Sequence, residues 1–248
     1  MSQINKSNAF VLSKLDYGDT SSIASLFTQD YGKLSAIIKG GRNPKSKISL
    51  IIDPLNQIEV VFYSKDTRNI QIISSTSLIN HYSHIKEDFE KLKYCYAILE
   101  LVKNLTAEHE VYSKLYKGIE RIFYLFDTSN EQPEIIFGRF FIFMLTEIGY
   151  EVQLEHCASC GKTNDLNKNL SYNFEMGTLC TNCKNNFIES YSFNSELFYY
   201  LLCLKHNKKV DIKNISQDTL KNAIIFLERF LKHHVPDFKG IKSFQIYK

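Results

Sequence analysis

The 248-residue chain is 44% hydrophobic, 13% aromatic and 23% charged, with only four prolines, which excludes a disordered chain and leaves room for two modest domains or one with an insertion. No uninterrupted apolar run approaches the roughly 18 residues that span a bilayer, and residues 1–8 lack the apolar stretch of a secretory signal, so the expected compartment is the cytoplasm, with no membrane partner. The net charge of +3 conceals an uneven distribution: residues 1–80 hold nine Lys and Arg against six acids, residues 81–183 ten against fifteen, and residues 184–248 eleven against six. Basic ends around an acidic middle hint at a polyanion partner for the ends, although solvated surfaces alone produce the same asymmetry.

The first 80 residues read as strands. Residues 9–15, 23–28, 34–39, 57–64 and 70–74 are short, rich in β-branched and aromatic residues, and separated by the turn signals of Asp16, Gly18 and Asp19, of Asp30 and Gly32, and of Gly40, Gly41, Asn43 and Pro44. Five such strands with no intervening helix predict a small antiparallel barrel, a closure that removes exposed edges. Within it Lys33, Lys39, Arg42, Lys45 and Lys47 place five positive charges in fifteen residues without an acid. A flexible cationic loop beside a barrel suits phosphate contacts, with Tyr17, Phe27, Tyr31, Phe62 and Tyr63 as stacking candidates. The plainer readings are a solvated loop, and core positions for Phe27 and Phe62.

From about residue 83 the apolar period becomes helical. Phe89, Leu92, Tyr96, Leu99 and Val102 share one face, and Val111, Leu115, Ile119, Ile122, Phe123 and Phe126 another. A third helix is expected from Pro133, through Ile136, Phe140, Phe143 and Met144, to Gly149. Two more are expected over residues 195–206 and 217–234, the latter stopped by Pro236. These stripes are core first, and Cys95 and Cys203 within them are expected to be buried as small hydrophobes. Lys205, Lys208, Lys209, Lys213, Lys221, Arg229 and Lys232 flank the last helices and offer a basic groove wall for an acidic peptide, or simply a solvated face.

The remaining cysteines fall into two pairs, Cys157 with Cys160 and Cys180 with Cys183, separated by nineteen residues. In a reducing compartment disulfides are disfavoured, and two C-x-x-C turns joined by a hairpin can present four thiolates to one tetrahedral Zn²⁺. A closed four-sulfur shell leaves no position for water or substrate, so the expected cofactor is a single structural zinc in a ribbon-like module. His156 could replace a cysteine in that shell, and redox use of one pair would leave the other unexplained. H-E-x-x-H, the deaminase pattern, a P-loop and G-x-G-x-x-G are all absent, and no nucleophile, base and orienting acid assemble. No catalytic residue and no enzymatic activity are expected.

The order of these parts carries a resemblance. Val11-Leu12, Tyr17-Gly18-Asp19-Thr20-Ser21, Leu26-Phe27-Thr28, Tyr31-Gly32-Lys33, Lys39-Gly40-Gly41-Arg42 and Pro44-Lys45-Ser46-Lys47, followed by helices and the placed cysteine pairs, resemble the RecO family of bacterial recombination-mediator proteins, in its zinc-containing form. The resemblance implies an α+β architecture: an oligonucleotide-binding barrel over residues 1–80, a helical domain over 81–150 and 188–248, and a zinc module inserted at 151–187. It implies binding to single- and double-stranded DNA, annealing of complementary strands, and work with RecR to load RecA onto strands coated by single-stranded-DNA-binding protein. Contact with the acidic, apolar C-terminal tail of that protein and association with the nucleoid are implied too. Lys33, Lys39, Arg42, Lys45 and Lys47 coincide with the family's basic barrel region. Two other readings remain at this point: a zinc-stabilised protein-interaction adaptor that binds no DNA, and a zinc-dependent nucleic-acid hydrolase.

Overall fold

The computed structural model describes residues 3–65, 67–165, 168–186, 190–208 and 215–246. Lys209 and Lys213, from the expected C-terminal basic face, lie outside the described residues. The chain forms two compact units, one of Met1–Asn130 with Ile241–Lys248 and the other of Glu131–Gly240.

The first unit is built on a closed five-stranded barrel of β1 (Gln3–Tyr17), β2 (Ser21–Thr28), β3 (Gly32–Ile38), β4 (Gln57–Ser64) and β5 (Ile70–Asn80), in the order β1-β2-β3-β5-β4. The β3–β5 pair is parallel and the other pairings are antiparallel. β1 is long because it serves two neighbours: Gln3 to Phe10 pair with β4, and Ala9 to Tyr17 with β2. A register shift between Val11 and Ser13 marks the irregularity at which the strand bends between them. β5 runs six residues past its expected end at Ser74, because pairing with β4 as far as Asn80 stabilises a polar stretch whose own propensity is weak. The interior is lined by Ala9, Val11, Ala24, Leu26, Leu34, Ala36, Ile38, Ile58, Val60, Phe62 and Ile73. Small alanines beside larger side chains let a narrow barrel fill without voids.

The expectation of no helix between the strands is corrected by α1 (Lys47–Ile51). The Ser46 side chain caps it, accepting from the Ser49 backbone N–H at 3.3 Å. Ile48 and Ile51 pack against the barrel core while Leu50 stays exposed. Five residues are too few for a helical period to register in sequence.

Outside the barrel stand α2 (Ser83–Glu87), α3 (Phe89–Leu105), α4 (Ser113–Thr128) and α8 (Ser243–Ile246). Phe10 and Phe27 leave the barrel wall to meet α4: Tyr116 lies 5.1 Å from Phe10 and 6.2 Å from Phe27, and Phe123 5.5 Å from Phe10. Burial on both faces explains why Ala9 to Leu12 are all inside, a run that alternation does not predict. Polar groups meet there too: Gln57 donates to Glu120 at 2.7 Å and to Tyr116 at 3.3 Å, and accepts from Tyr82 at 3.1 Å. Two expected core positions are corrected. Phe89 is 53% exposed at the first turn of α3 and Val111 is exposed ahead of α4, because each lies at a helix end beyond the packed face.

Lys33 joins β3 to this helical layer. It is only 8% exposed, and its Nζ donates to the carbonyls of Lys103 and Thr106, each at 2.6 Å, at the C-terminal end of α3. Glu108 lies 3.6 Å away. Carbonyls at a helix C-terminus lack intrahelical donors and carry partial negative charge, so the ammonium satisfies them. Lys33→Met is expected to lower the stability of this unit by about 3 kcal/mol, since each charge-assisted bond is worth about 1.5 to 3 kcal/mol and buried carbonyls are left unpaired. Urea unfolding of the variant measures it.

The second unit holds α5 (Pro133–Glu147), α6 (Ser195–Lys205) and α7 (Gln217–His234), packed on one another, and a small sheet in the order β7-β6-β8. Its strands are β6 (Leu170–Asn173), β7 (Gly177–Leu179) and β8 (Tyr191–Phe193). Asn194 and Ser216 cap α6 and α7 through their side chains. Cys95 on α3 and Cys203 on α6 are both buried.

Candidate metal centre and nucleic-acid interface

The four paired cysteines converge: the sulfurs of Cys157, Cys160, Cys180 and Cys183 all lie within 4.8 Å of one another, and the Cys160–Cys180 pair stands at 3.9 Å. A tetrahedral zinc with Zn–S bonds of about 2.3 Å places its sulfurs about 3.8 Å apart. Each pair sits on a tight turn. In the first, Gly161 donates to the Cys157 carbonyl at 2.8 Å and Cys157 to the Lys162 carbonyl at 2.8 Å. In the second, Cys183 and Lys184 both donate to the Cys180 carbonyl at 3.0 Å. The β6–β7 hairpin supplies the approach, and Ala158 donates to the Thr178 carbonyl at 2.8 Å, fixing the first turn against β7, which leads into the second. His156 is exposed, pairs with Thr163 in a short bridge, and is not part of the sulfur group.

The electrostatics of the group favour a cation. Burial opposes ionisation of Cys157, but backbone N–H groups of Cys180, Cys160 and Ser159 outweigh it and hold this thiol down at about 6. At Cys183 the Ser159 hydroxyl acts to lower the value, yet the neighbouring sulfurs of Cys180, Cys160 and Cys157 prevail and push the thiol up to about 12. One thiolate therefore forms readily while Cys183 holds its proton through hydrogen bonds to the neighbouring sulfurs, and a divalent cation bound there would have to displace that proton. Zinc would be held by Cys157, Cys160, Cys180 and Cys183 together, which leaves no coordination position for a reactant.

The cationic segment after β3 is tied down rather than loose. Gly41 donates to the Ile38 carbonyl, Arg42 to that of Thr20, Asn43 to that of Gly40 and Ser46 to that of Asn43, at 3.0 to 3.1 Å. The Asn43 side chain accepts from the Lys45 N–H at 2.9 Å, and the Ser49 hydroxyl donates to the Gly41 carbonyl. Lys39, Arg42 and Lys45 are exposed along this run of turns, and Lys47 is exposed at the start of α1. Arg42 donates to the Gly18 carbonyl at 2.7 Å and lies 3.5 Å from Asp16, an exposed pairing that offsets little of its charge. Among the described residues no ion pair engages Lys39, Lys45 or Lys47. Lys33 is the exception in the set: it is nearly buried, and its ammonium is committed to the carbonyls at the end of α3.

Tyr17 is 53% exposed at the end of β1, immediately before the Gly18 whose carbonyl Arg42 contacts. Phe27 and Phe62 are core, as the plainer reading held, and Tyr31 packs edge-on against Phe62 at 5.5 Å. Tyr63 is partly exposed but pairs with Ile4 near the opposite end of β1 from Tyr17. Lys14 was missed from sequence because it lies outside the 33–47 run. Its Nζ donates to the Ser49 carbonyl and hydroxyl, both at 2.7 Å, in a groove of about 570 Å³ that Arg42, Asn43 and Leu50 also line.

Comparison with known proteins fits the order of these parts. Residues 1–82 match the family described as Recombination protein O N terminal, and residues 86–243 that described as Recombination protein O C terminal. The chain belongs to the RecO family. A DNA repair protein RecO of Chlorobium limicola is 34% identical over 159 residues, 64% of this chain and 61% of the relative. The counterpart from Alkaliphilus metalliredigens is 29% identical over 250 residues, 98% of both chains, and that of a Thermoanaerobacter species 28% identical over 241 residues. Against the Chlorobium relative the match spans less than two thirds of that protein's length. No helix among the described residues is long and apolar enough to cross a membrane.

Proposed function

We propose that this chain is a DNA-binding mediator of recombinational DNA repair, with residues 1–80 as its DNA-binding domain. The observation that carries the reading is the run of exposed Lys39, Arg42, Lys45 and Lys47, tethered by its own turns after β3 of a closed barrel, with exposed Tyr17 next in sequence to the Gly18 that Arg42 contacts. Cations held this way meet a phosphate backbone with little ordering left to do, and each contact releases condensed counterions. The tyrosine adds a sequence-tolerant stacking surface for an unpaired base. The Lys33 ammonium, bound to the Lys103 and Thr106 carbonyls, serves the fold and meets no phosphate.

The same surface accounts for strand annealing. Neutralising phosphates on two complementary strands reduces their mutual repulsion, and base pairing then proceeds without any bond being cleaved. With RecR as partner, the chain helps load RecA onto single strands coated by single-stranded-DNA-binding protein, whose acidic, apolar tail docks on the helical domain over residues 81–150 and 188–248. One Zn²⁺ held by Cys157, Cys160, Cys180 and Cys183 stabilises the inserted module over residues 151–187 and takes no part in chemistry. Association with the nucleoid follows from DNA binding.

Annealing of two complementary labelled oligonucleotides coated by single-stranded-DNA-binding protein, followed with and without RecR, tests the reading. Annealing by the chain, and RecR-dependent loading of RecA, are the expected results. Absence of oligonucleotide retention on a filter at low salt would instead favour an interaction adaptor, and degradation that stops with a chelator would favour a hydrolase.

A further inference from the structure

A second surface of mixed aromatic and cationic character lies in the other compact unit, among β6, β8 and α7. It is a groove of about 720 Å³ lined by Asn173, Phe174, Glu175, Tyr191, Arg229 and His233, together with two serines. Its floor is rigid. Phe174 stacks on buried Phe226 with ring centroids 5.9 Å apart and planes at 24°, and Tyr191 leans on the same ring at 5.5 Å. Phe226 is in turn fixed by Tyr172 at 5.0 Å and Phe193 at 4.9 Å. Phe174 and Tyr191 themselves are only partly buried, and with His233 against the first ring and Arg229 over the second each keeps part of its ring surface open to the groove.

The charge is placed on the α7 side. The Arg229 guanidinium lies 5.3 Å from the Tyr191 ring centroid and is exposed, and no carboxylate among the described residues pairs with it. His233, one helical turn further along, stands 5.8 Å from Phe174 with its plane at 31° to that ring. Glu175 is the acid among the lining residues, and the charge of Lys232, next to His233 in sequence, is taken by Glu228 at 2.8 Å. An arginine stacked on a tyrosine keeps its N–H edges free for an anion while its face is occupied.

We infer that this groove is a second contact for single-stranded nucleic acid, taking the face of an unpaired base against the ring surface that Phe174 and Tyr191 leave open beside His233 and Arg229, and an adjoining phosphate on the N–H groups of Arg229 and His233. The volume lies within the range of about 300 to 1,000 Å³ typical of small-ligand sites, enough for a nucleotide unit. Pre-set rings lose little freedom on stacking, and every base offers a π face, so no sequence preference is required. An acidic peptide fits less well. Its aliphatic side chains need an apolar hole, whereas Phe226 and Phe193 are already closed beneath the platform, and Glu175 would face its carboxylates. The inference rests on the reading that the chain binds DNA, but it uses residues separate from the barrel.

The test uses the full chain with a single-stranded oligonucleotide of about 15 residues carrying 5-iodouracil, irradiated and mapped by mass spectrometry. A cross-link to Tyr191 or Phe174 is expected, besides one in the barrel. In an Arg42→Ala, Lys45→Ala, Lys47→Ala background, Arg229→Ala and Tyr191→Leu should each weaken the residual oligonucleotide affinity about fivefold or more, the least that one lost stacked base is worth, while Tyr191→Phe should retain it. Because Arg229 is exposed, its variant stays informative even where Tyr191→Leu disturbs packing. Cross-links confined to the barrel, or unchanged affinity in Arg229→Ala, would overturn the inference. It would fall equally if Arg229→Ala weakened binding of a labelled acidic peptide and left the oligonucleotide unaffected. Failure of the barrel reading shows separately, as wild-type affinity in the triple variant.

Discussion

Cys180→Ser is expected to release the bound metal and unfold the module around β6 and β7. Wild-type protein purified without added metal should carry one equivalent of zinc per chain by elemental analysis, and the variant markedly less. The size of the effect follows from the size of the module. β6 and β7 have four and three residues, and no hydrophobic core of that extent offsets the entropy of ordering the chain. Metal binding at such sites is folding energy, of order 10 to 16 kcal/mol for small zinc modules, as much as the whole stability of an ordinary domain at about 5 to 15 kcal/mol. The loss should spread, because Tyr172 of β6 packs on Phe226 and Phe230 of α7. A chelator should lower the melting temperature of the wild type and leave that of the variant nearly unmoved. Metal-free wild-type protein with an unchanged melting curve would refute a structural zinc.

Gly32→Ala should be the most damaging single substitution in the barrel unit. Gly32 opens β3 with φ +66°, a region that costs a side chain about 1 to 2 kcal/mol. Its surroundings are decisive. A Cβ added there would lie 2.1 Å from the Glu110 carbonyl oxygen, so the 108–110 segment must move and the 2.9 Å bond from the His109 N–H to the Lys33 carbonyl is lost. About 4 kcal/mol or more is expected, the range reserved for clashes and broken buried contacts. Gly18 provides the control: its φ is +58° but no atom lies within 4 Å of an added Cβ, so Gly18→Ala should cost only about 1 kcal/mol. Denaturant unfolding of the two variants separates conformational strain from the close approach, and equal losses would show that the approach to Glu110 does not matter.

What the sequence made legible divides along physical lines. The β4 strand at Gln57–Ser64 and the α7 helix at Gln217–His234 were readable to the residue, because turn residues or caps bound them and their apolar periods are clean. The cysteine cluster was readable because two C-x-x-C pairs have few geometries available to them. Features set by tertiary contact were not. Nothing local distinguishes Lys33 from Lys39, yet one is buried on the end of α3 and the other is exposed, since the fate of Lys33 depends on a helix end seventy residues away. The polar half of β5 is a strand through its pairing with β4, and α1 is a helix through its Ser46 cap and the burial of Ile48 and Ile51. The aromatic groove left no local signal, because Phe174, in the turn after β6, meets Tyr191 of β8, a strand of only three residues.

The salt dependence of oligonucleotide affinity tests the barrel interface most directly. For the wild type the logarithm of the binding constant should fall linearly with the logarithm of salt concentration. In the Arg42→Ala, Lys45→Ala, Lys47→Ala variant that slope should shrink by about 2 on a single strand, at about 0.7 per lost phosphate contact. Lys33→Met, checked to be folded at the assay temperature, should leave the slope where it is. A triple variant that keeps the full wild-type slope, or a Lys33 variant that flattens it as much, would contradict the assignment of DNA binding to the exposed turns after β3.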